Sequence, residues 1–221
     1  MGILADQFKA VLLPKMSVPI ELLLLFDWIE ANALYVDNEC GRVGFLFPED
    51  ELKHGWTKTE RPGGTTIEFA ATGNVNVRYW FDREDPEILE RLCVFAQTGA
   101  EGSEAALWLD DAGRQRIVHM GSGSGSMLCC VLADSAIDFL RLIAIGYDEI
   151  CWDENFSSPP NHPDLGNDFV VHPNINYQNW LKSTFGVTIP ERAIDIVKHV
   201  AHIGDKDSPD EFNRWVSRYV G

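Results

Sequence analysis

From residue 92 to residue 143 short apolar runs alternate with tight turn signals, and this rhythm constrains the fold more than any other feature of the chain. Ala105–Leu109 and Gln115–Met120 flank Asp110-Asp-Ala-Gly113, whose Asp and Gly supply the backbone freedom and local hydrogen bonds that a hairpin turn needs. Met127–Leu132 follows a glycine loop as a further strand. Asp134 or Ser135 then caps a helix over Ala136–Ile145, with Ile137, Leu140, Ile143 and Ala144 on one face. Leu92–Ala96 reads as a strand ahead of the pair, after a short Pro86–Leu92 helix with Asp85 as its cap. Consecutive strands joined by tight turns make antiparallel neighbours.

The flanking regions fit around that frame. Ser17-Val-Pro-Ile-Glu21 reads as a helix start, and the apolar block Ile20, Leu22–Phe26, Trp28 and Ile29 is too thick for a helix wet on one whole side. Tyr35–Val36 and Val43–Phe47 flank the turn Asp37-Asn-Glu-Cys-Gly41, and an acidic turn or short helix is expected over Glu49–Lys53. Arg61-Pro-Gly-Gly64 reads as a loop, and Thr65–Ala70 with Asn74–Phe81 as a second hairpin, the latter strand alternating polar and apolar residues. Prolines break up Cys151–Pro173; beyond them Ile175–Phe185, Pro190–Ile203 and Pro209–Val220 are expected as helices. The fold class is α+β, an antiparallel or mixed sheet of about six strands flanked by helices, with a helical C-terminal segment. Residues 1–152 form the α+β domain, 153–173 a Pro-containing loop or linker, and 174–221 a helical extension packed on that domain.

Composition narrows the function classes. A chain of 221 residues folds to a surface of roughly 10,000 Å² and buries a core that needs no staple. Eighteen Lys and Arg face 34 Asp and Glu, a net charge of −16. A deficit of that size repels phosphate backbones and anionic lipid, which argues against nucleic acid or a membrane surface as partner, and suits a basic protein partner. No apolar run, Leu22–Phe26 included, comes near the length of a bilayer span. The N-terminal residues match neither a signal peptide nor a myristoylation pattern. The five cysteines include no C-x-x-C pair. A cytoplasmic chain with reduced thiols is the expectation.

Motifs that would carry chemistry are weak. Gly121-Ser-Gly-Ser-Gly-Ser126 joins two strands rather than opening a helix, so it reads as a connection and not as a phosphate cradle. His199 and His202 are three apart without a third ligand in pattern, and His119 inside a strand reads as a packed histidine. No G-x-S-x-G elbow and no recognisable Cys/His setting is present. No catalytic residue, metal site or cofactor is therefore assigned. The constellation with most content is acidic: Glu49, Asp50 and Glu51; Asp82, Glu84 and Asp85; and Asp148, Glu149, Asp153 and Glu154 around Trp152. Carboxylates around an aromatic anchor are what a binder of a basic surface needs, the charges setting the encounter rate and the aromatic the hot spot.

The stretch Ala105-Ala-Leu-Trp-Leu-Asp-Asp-Ala-Gly113, Ile117-Val-His-Met-Gly121, Val131-Leu-Ala-Asp-Ser135 and Asp138-Phe-Leu-Arg-Leu-Ile143 resembles the SUKH superfamily, the Smi/Knr type. Leu13-Pro14 is present as in the family's opening, but the glycine turn that usually follows its helix is not. The resemblance implies an α+β domain over residues 1–152 without enzymatic activity. Many bacterial members look like immunity proteins that bind and neutralise toxins, often nucleases or deaminases, and such toxins are often basic. The expectation is a non-enzymatic protein of this kind, binding a cognate basic toxin directly. A regulatory scaffold that binds a host protein is the second expectation and an unrecognised hydrolase the third; a deep polar pocket with a perturbed carboxylate would favour the last.

Overall fold

The computed structural model describes residues 2–51, 59–61 and 65–220. Seven strands form one antiparallel sheet in the order β1-β2-β4-β5-β6-β7-β8: β1 Tyr35–Asn38, β2 Gly41–Gly44, β4 Glu68–Gly73, β5 Leu92–Gln97, β6 Glu104–Leu109, β7 Gln115–Met120 and β8 Cys129–Ala133. The α+β class holds, with seven strands in place of about six. A separate parallel pair joins β3, Glu60–Arg61, to β9, Val170–Val171.

The sheet is covered on both faces, so β5 to β8 are buried almost without interruption rather than in the alternation of a half-wet sheet. One face carries Cys93, Phe95, Leu107, Ile117, Cys130 and Leu132 into the larger core. Helices α1 Ile3–Val11, α2 Ile20–Ala31, α5 Ala136–Ile143 and α6 Ile175–Phe185 pack into that core. The other face carries Leu92, Val94, Ala106, Trp108, Val118, Met120, Cys129 and Val131 against α3 Val77–Trp80, α4 Pro86–Leu89 and α7 Glu211–Val216. Folding leaves 10,353 Å² of accessible surface, close to the value expected from chain length alone. No helix among the described residues is long and apolar enough to cross a membrane.

Several caps follow the sequence. Ser135 accepts from Asp138 N at the start of α5, and Asp85 from Glu87 N at the start of α4. Two segments differ from expectation. Asn74–Phe81 is not a strand. Gly73 ends β4 at φ +67°, and the next residues turn into α3, where Val77 is buried while Val75 is 60% exposed; a strand would have placed both on one face. Pro190–Ile203 is not a helix either. It makes one 3-10 turn at Ala193–Asp195 and then runs extended along the free edge of β8, with Cys129 N donating to Ala201 O at 2.7 Å and Ile203 N to Met127 O at 2.8 Å. The open edge offers backbone partners that an isolated β-branched segment lacks, and it wins over helical propensity.

The C-terminal segment belongs to both cores: Tyr177, Leu181, Val197 and Ala201 to one, Phe212, Trp215 and Val216 to the other. The proline-bearing stretch is anchored by buried Phe156 and Val171, which makes it a packed loop rather than a linker. Glu49–Glu51 begins a helical turn, while Lys53 and Pro62–Gly64 lie outside the described residues. The N-terminal helix α1 had no counterpart among the sequence expectations.

Candidate functional site: an acidic cleft at the end of the sheet

The site is built where β5–β6, β7–β8 and the chain after α5 meet. The 121–126 loop is knitted rather than slack: Gly123 N donates to Ser126 O, and the Ser126 hydroxyl donates to Cys151 O at 2.6 Å. A Cβ at Gly121 would stand 2.5 Å from Ser126 O, so glycine is required for this close approach. From the other side Ala100 N donates to Glu149 Oε1 at 2.7 Å, and the Trp152 indole N–H donates to Glu149 Oε2 at 2.7 Å. One loop amide and one indole, with the Cys151 thiol at 3.9 Å, thus hold the Glu149 carboxylate in a fixed orientation, while the 121–126 loop pins the neighbouring Cys151 backbone.

Around it opens a cleft of about 490 Å³. Tyr147, Asp148, Glu149, Trp152 and Glu154 form one side; Arg61 from β3, Asn161, Phe169 and Val171 form the other. Asn161 is braced by donating to Val171 O and accepting from Val171 N, both at 2.7 Å. The Arg61 guanidinium is ion-paired with Asp148 and stacked on Phe169, 3.6 Å from the ring centroid. Burial pushes the Asp148 carboxyl above the usual aspartate range, against the downward pull of Arg61. Glu149 is 8% exposed, and no ion pair joins it to a cation among the described residues.

The predicted acidic residues therefore part company. Asp148, Glu149, Trp152 and Glu154 share the cleft. Asp153 turns away and accepts from His202 Nε2 at 3.0 Å, tying the loop to the segment along β8. Glu51 borders a different groove, with Trp28, Phe47 and Asn174 on the side of the larger core. Asp82, Glu84 and Asp85 lie between α3 and α4 on the opposite face, where Glu84 pairs with Arg78 and Asp85 is a helix cap. The cleft, the groove and the opposite face thus each hold acid from one of the three clusters. Arg61, Tyr147, Asn161 and Phe169 were not among the candidate site residues read from the sequence, because Arg61, Asn161 and Phe169 reach the cleft from other segments and none of the four belongs to an acidic motif.

Nucleophilic chemistry finds little here. Burial pushes the Cys93, Cys129, Cys130 and Cys151 thiols up, away from the reactive thiolate. His119 is fully enclosed between Thr98 Oγ1 and Leu128 O, each at 2.9 Å. Among the described residues no group of three or more His, Cys, Asp or Glu is placed to hold a metal ion; His199 and His202 lie on an extended segment rather than a helix face. What the cleft offers is a fixed, buried negative charge beside flat aromatic walls. No known protein family, curated protein or solved structure matches the chain, and the likeness to the SUKH superfamily rests on the residues quoted for it.

Proposed function

We propose that the chain is a non-enzymatic binding protein of the immunity type, which neutralises a basic toxin by covering it. The observation that carries this reading is the gathering of Asp148, Glu149, Trp152 and Glu154 on one cleft in a chain of net charge −16. Long-range attraction draws in a basic partner, and an aromatic-centred patch retains it. The β6-β7-β8-α5 order over Glu104–Ile143 is the order that the SUKH resemblance implies, which also favours the reading.

Co-expression with the product of the adjacent gene, and purification through a tag on this chain, tests it. A stoichiometric basic partner that kills cells when expressed alone, and is silent in the complex, is the expected result. Absence of any partner, with the chain eluting alone, would sink it. One observation favours a hydrolase instead: Asp148 is a carboxyl raised by burial at the wall of a polar cleft. That second reading requires Asp148→Asn to abolish a turnover, whereas the binding reading requires the complex to survive the substitution or weaken only by degrees.

A further inference from the structure

A carboxylate more than nine-tenths buried is normally matched by a cation, because removing charge from water costs several kcal/mol unless something compensates. Glu149 breaks that pattern. It receives two neutral N–H donors, from Ala100 and Trp152, and no cation pairs with it among the described residues. Arg61, the one cation on the cleft wall among the described residues, is ion-paired with Asp148. Among the described residues the cleft is thus one positive charge short at its most buried acid.

The walls say which kind of cation fits. Arg61 already lies flat on Phe169 with its fork toward Asp148, so this cleft demonstrably stacks a guanidinium against a ring and pairs it with a carboxylate. The same pair of elements, the Trp152 ring and the Glu149 carboxylate, stands in the remaining space, with Glu154 exposed at the rim. A planar, weakly hydrated guanidinium uses a ring face and a carboxylate together, whereas a compact, strongly hydrated ammonium uses only the charge.

We propose that the cleft is a seat for a guanidinium, and that it is filled by an arginine side chain of the protein partner. Glu149 is the buried counter-charge, Trp152 the stacking wall and Glu154 the rim charge that admits the side chain. This rests on the binding reading above and names the group of the partner that the site would recognise.

Titration of the 15N-labelled full chain with Nα-acetyl-arginine methylamide, followed at the Trp152 indole N–H, tests the seat directly. The assignment of that resonance comes from Trp152→Phe. The expected result is a saturable shift that persists at high salt. The equivalent blocked lysine binds several-fold more weakly, and Glu154→Gln weakens the blocked arginine about threefold, the worth of one exposed ion pair. Glu149→Gln abolishes the shift; because that change also touches the loop, the exposed Glu154→Gln serves as the variant that leaves the fold alone. No saturable shift, or equal binding of the lysine compound, overturns the guanidinium seat. Tighter binding of free L-arginine than of the blocked compound overturns its assignment to a protein side chain. If the titration fails while a toxin still co-purifies, only the seat falls; if it succeeds and no partner exists, the seat stands and the immunity reading falls.

Discussion

His119 illustrates how one enclosed residue sets a measurable property. Leu128 O can only accept, so Nδ1 carries the proton, and Nε2 then accepts from the Thr98 hydroxyl. Burial holds this imidazole neutral down to about 4, against 6.5 in the open chain. Between those values the unfolded chain takes up a proton that the folded chain refuses, so stability falls as the pH is lowered through the window. The total is on the order of 3 kcal/mol. Urea denaturation from pH 7 to pH 4 should reveal that slope in the native chain. His119→Gln should lose it, whatever its stability at neutral pH; an unchanged slope would move the effect to other groups. Asp210 makes a different demand. It caps α7 by accepting from Asn213 N at 2.8 Å, and it accepts from the buried Val131 N at 3.0 Å. Asp210→Ala loses a cap and strands a buried donor, a cost of about 2–4 kcal/mol, which equilibrium denaturation measures.

At the scale of elements, the segment along β8 decides whether the sheet ends in an open edge. Ile203→Pro removes the donor to Met127 O, costs roughly 1 kcal/mol through that bond, and should raise hydrogen exchange at the Cys129 amide, whose acceptor Ala201 O lies on the same segment. Unchanged exchange there would mean that the pairing adds little to the edge. The element pattern was legible in the sequence where local signals agree. For β6, β7, β8 and α5, turn chemistry, apolar runs and the Ser135 cap all point the same way. It was illegible where a neighbour overrules the local pattern. Asn74–Phe81 alternates like a strand, yet the sheet has its next strand at β5 and the run buries Val77 and Phe81, four apart, as a helical turn does. The Ile194, Val197, Val200 spacing is helical, yet the segment is claimed by a backbone edge that no sequence window contains. The cleft divides in the same way. Asp148, Glu149, Trp152 and Glu154 were visible because they fall in one short stretch, while Arg61 and Phe169 arrive from over eighty residues before and fifteen after the nearest of them.

For the molecule as a whole, the dispersal of acid over both faces matters more than any one cluster. Glu51 borders the groove near α2, Asp82 and Glu84 lie on the opposite face, and the cleft occupies the end of the sheet. A field produced this way draws a basic partner from all directions. Charge reversal at Glu49–Glu51 and at Asp82 with Glu84 should therefore slow association to similar degrees, each effect fading as salt rises, and leave dissociation nearly unchanged. Reversal within the cleft should accelerate dissociation instead. Stopped-flow association with the purified partner separates the two; a large dissociation effect at Asp82 or Glu84 would relocate the contact surface. The segment that closes β8 has one more consequence, for synthesis. Residues 201–216 supply the edge pairing, the Asp210 ligand to Val131 N and the Phe212 and Trp215 rings that cover Trp108. A ribosome that has completed β8 has therefore made a sheet with a bare edge and an uncovered tryptophan, and some seventy further residues must emerge before either is shielded. During that interval the nascent chain depends on chaperones or on speed, and a stall ahead of residue 201 would yield a product prone to pair with its neighbours.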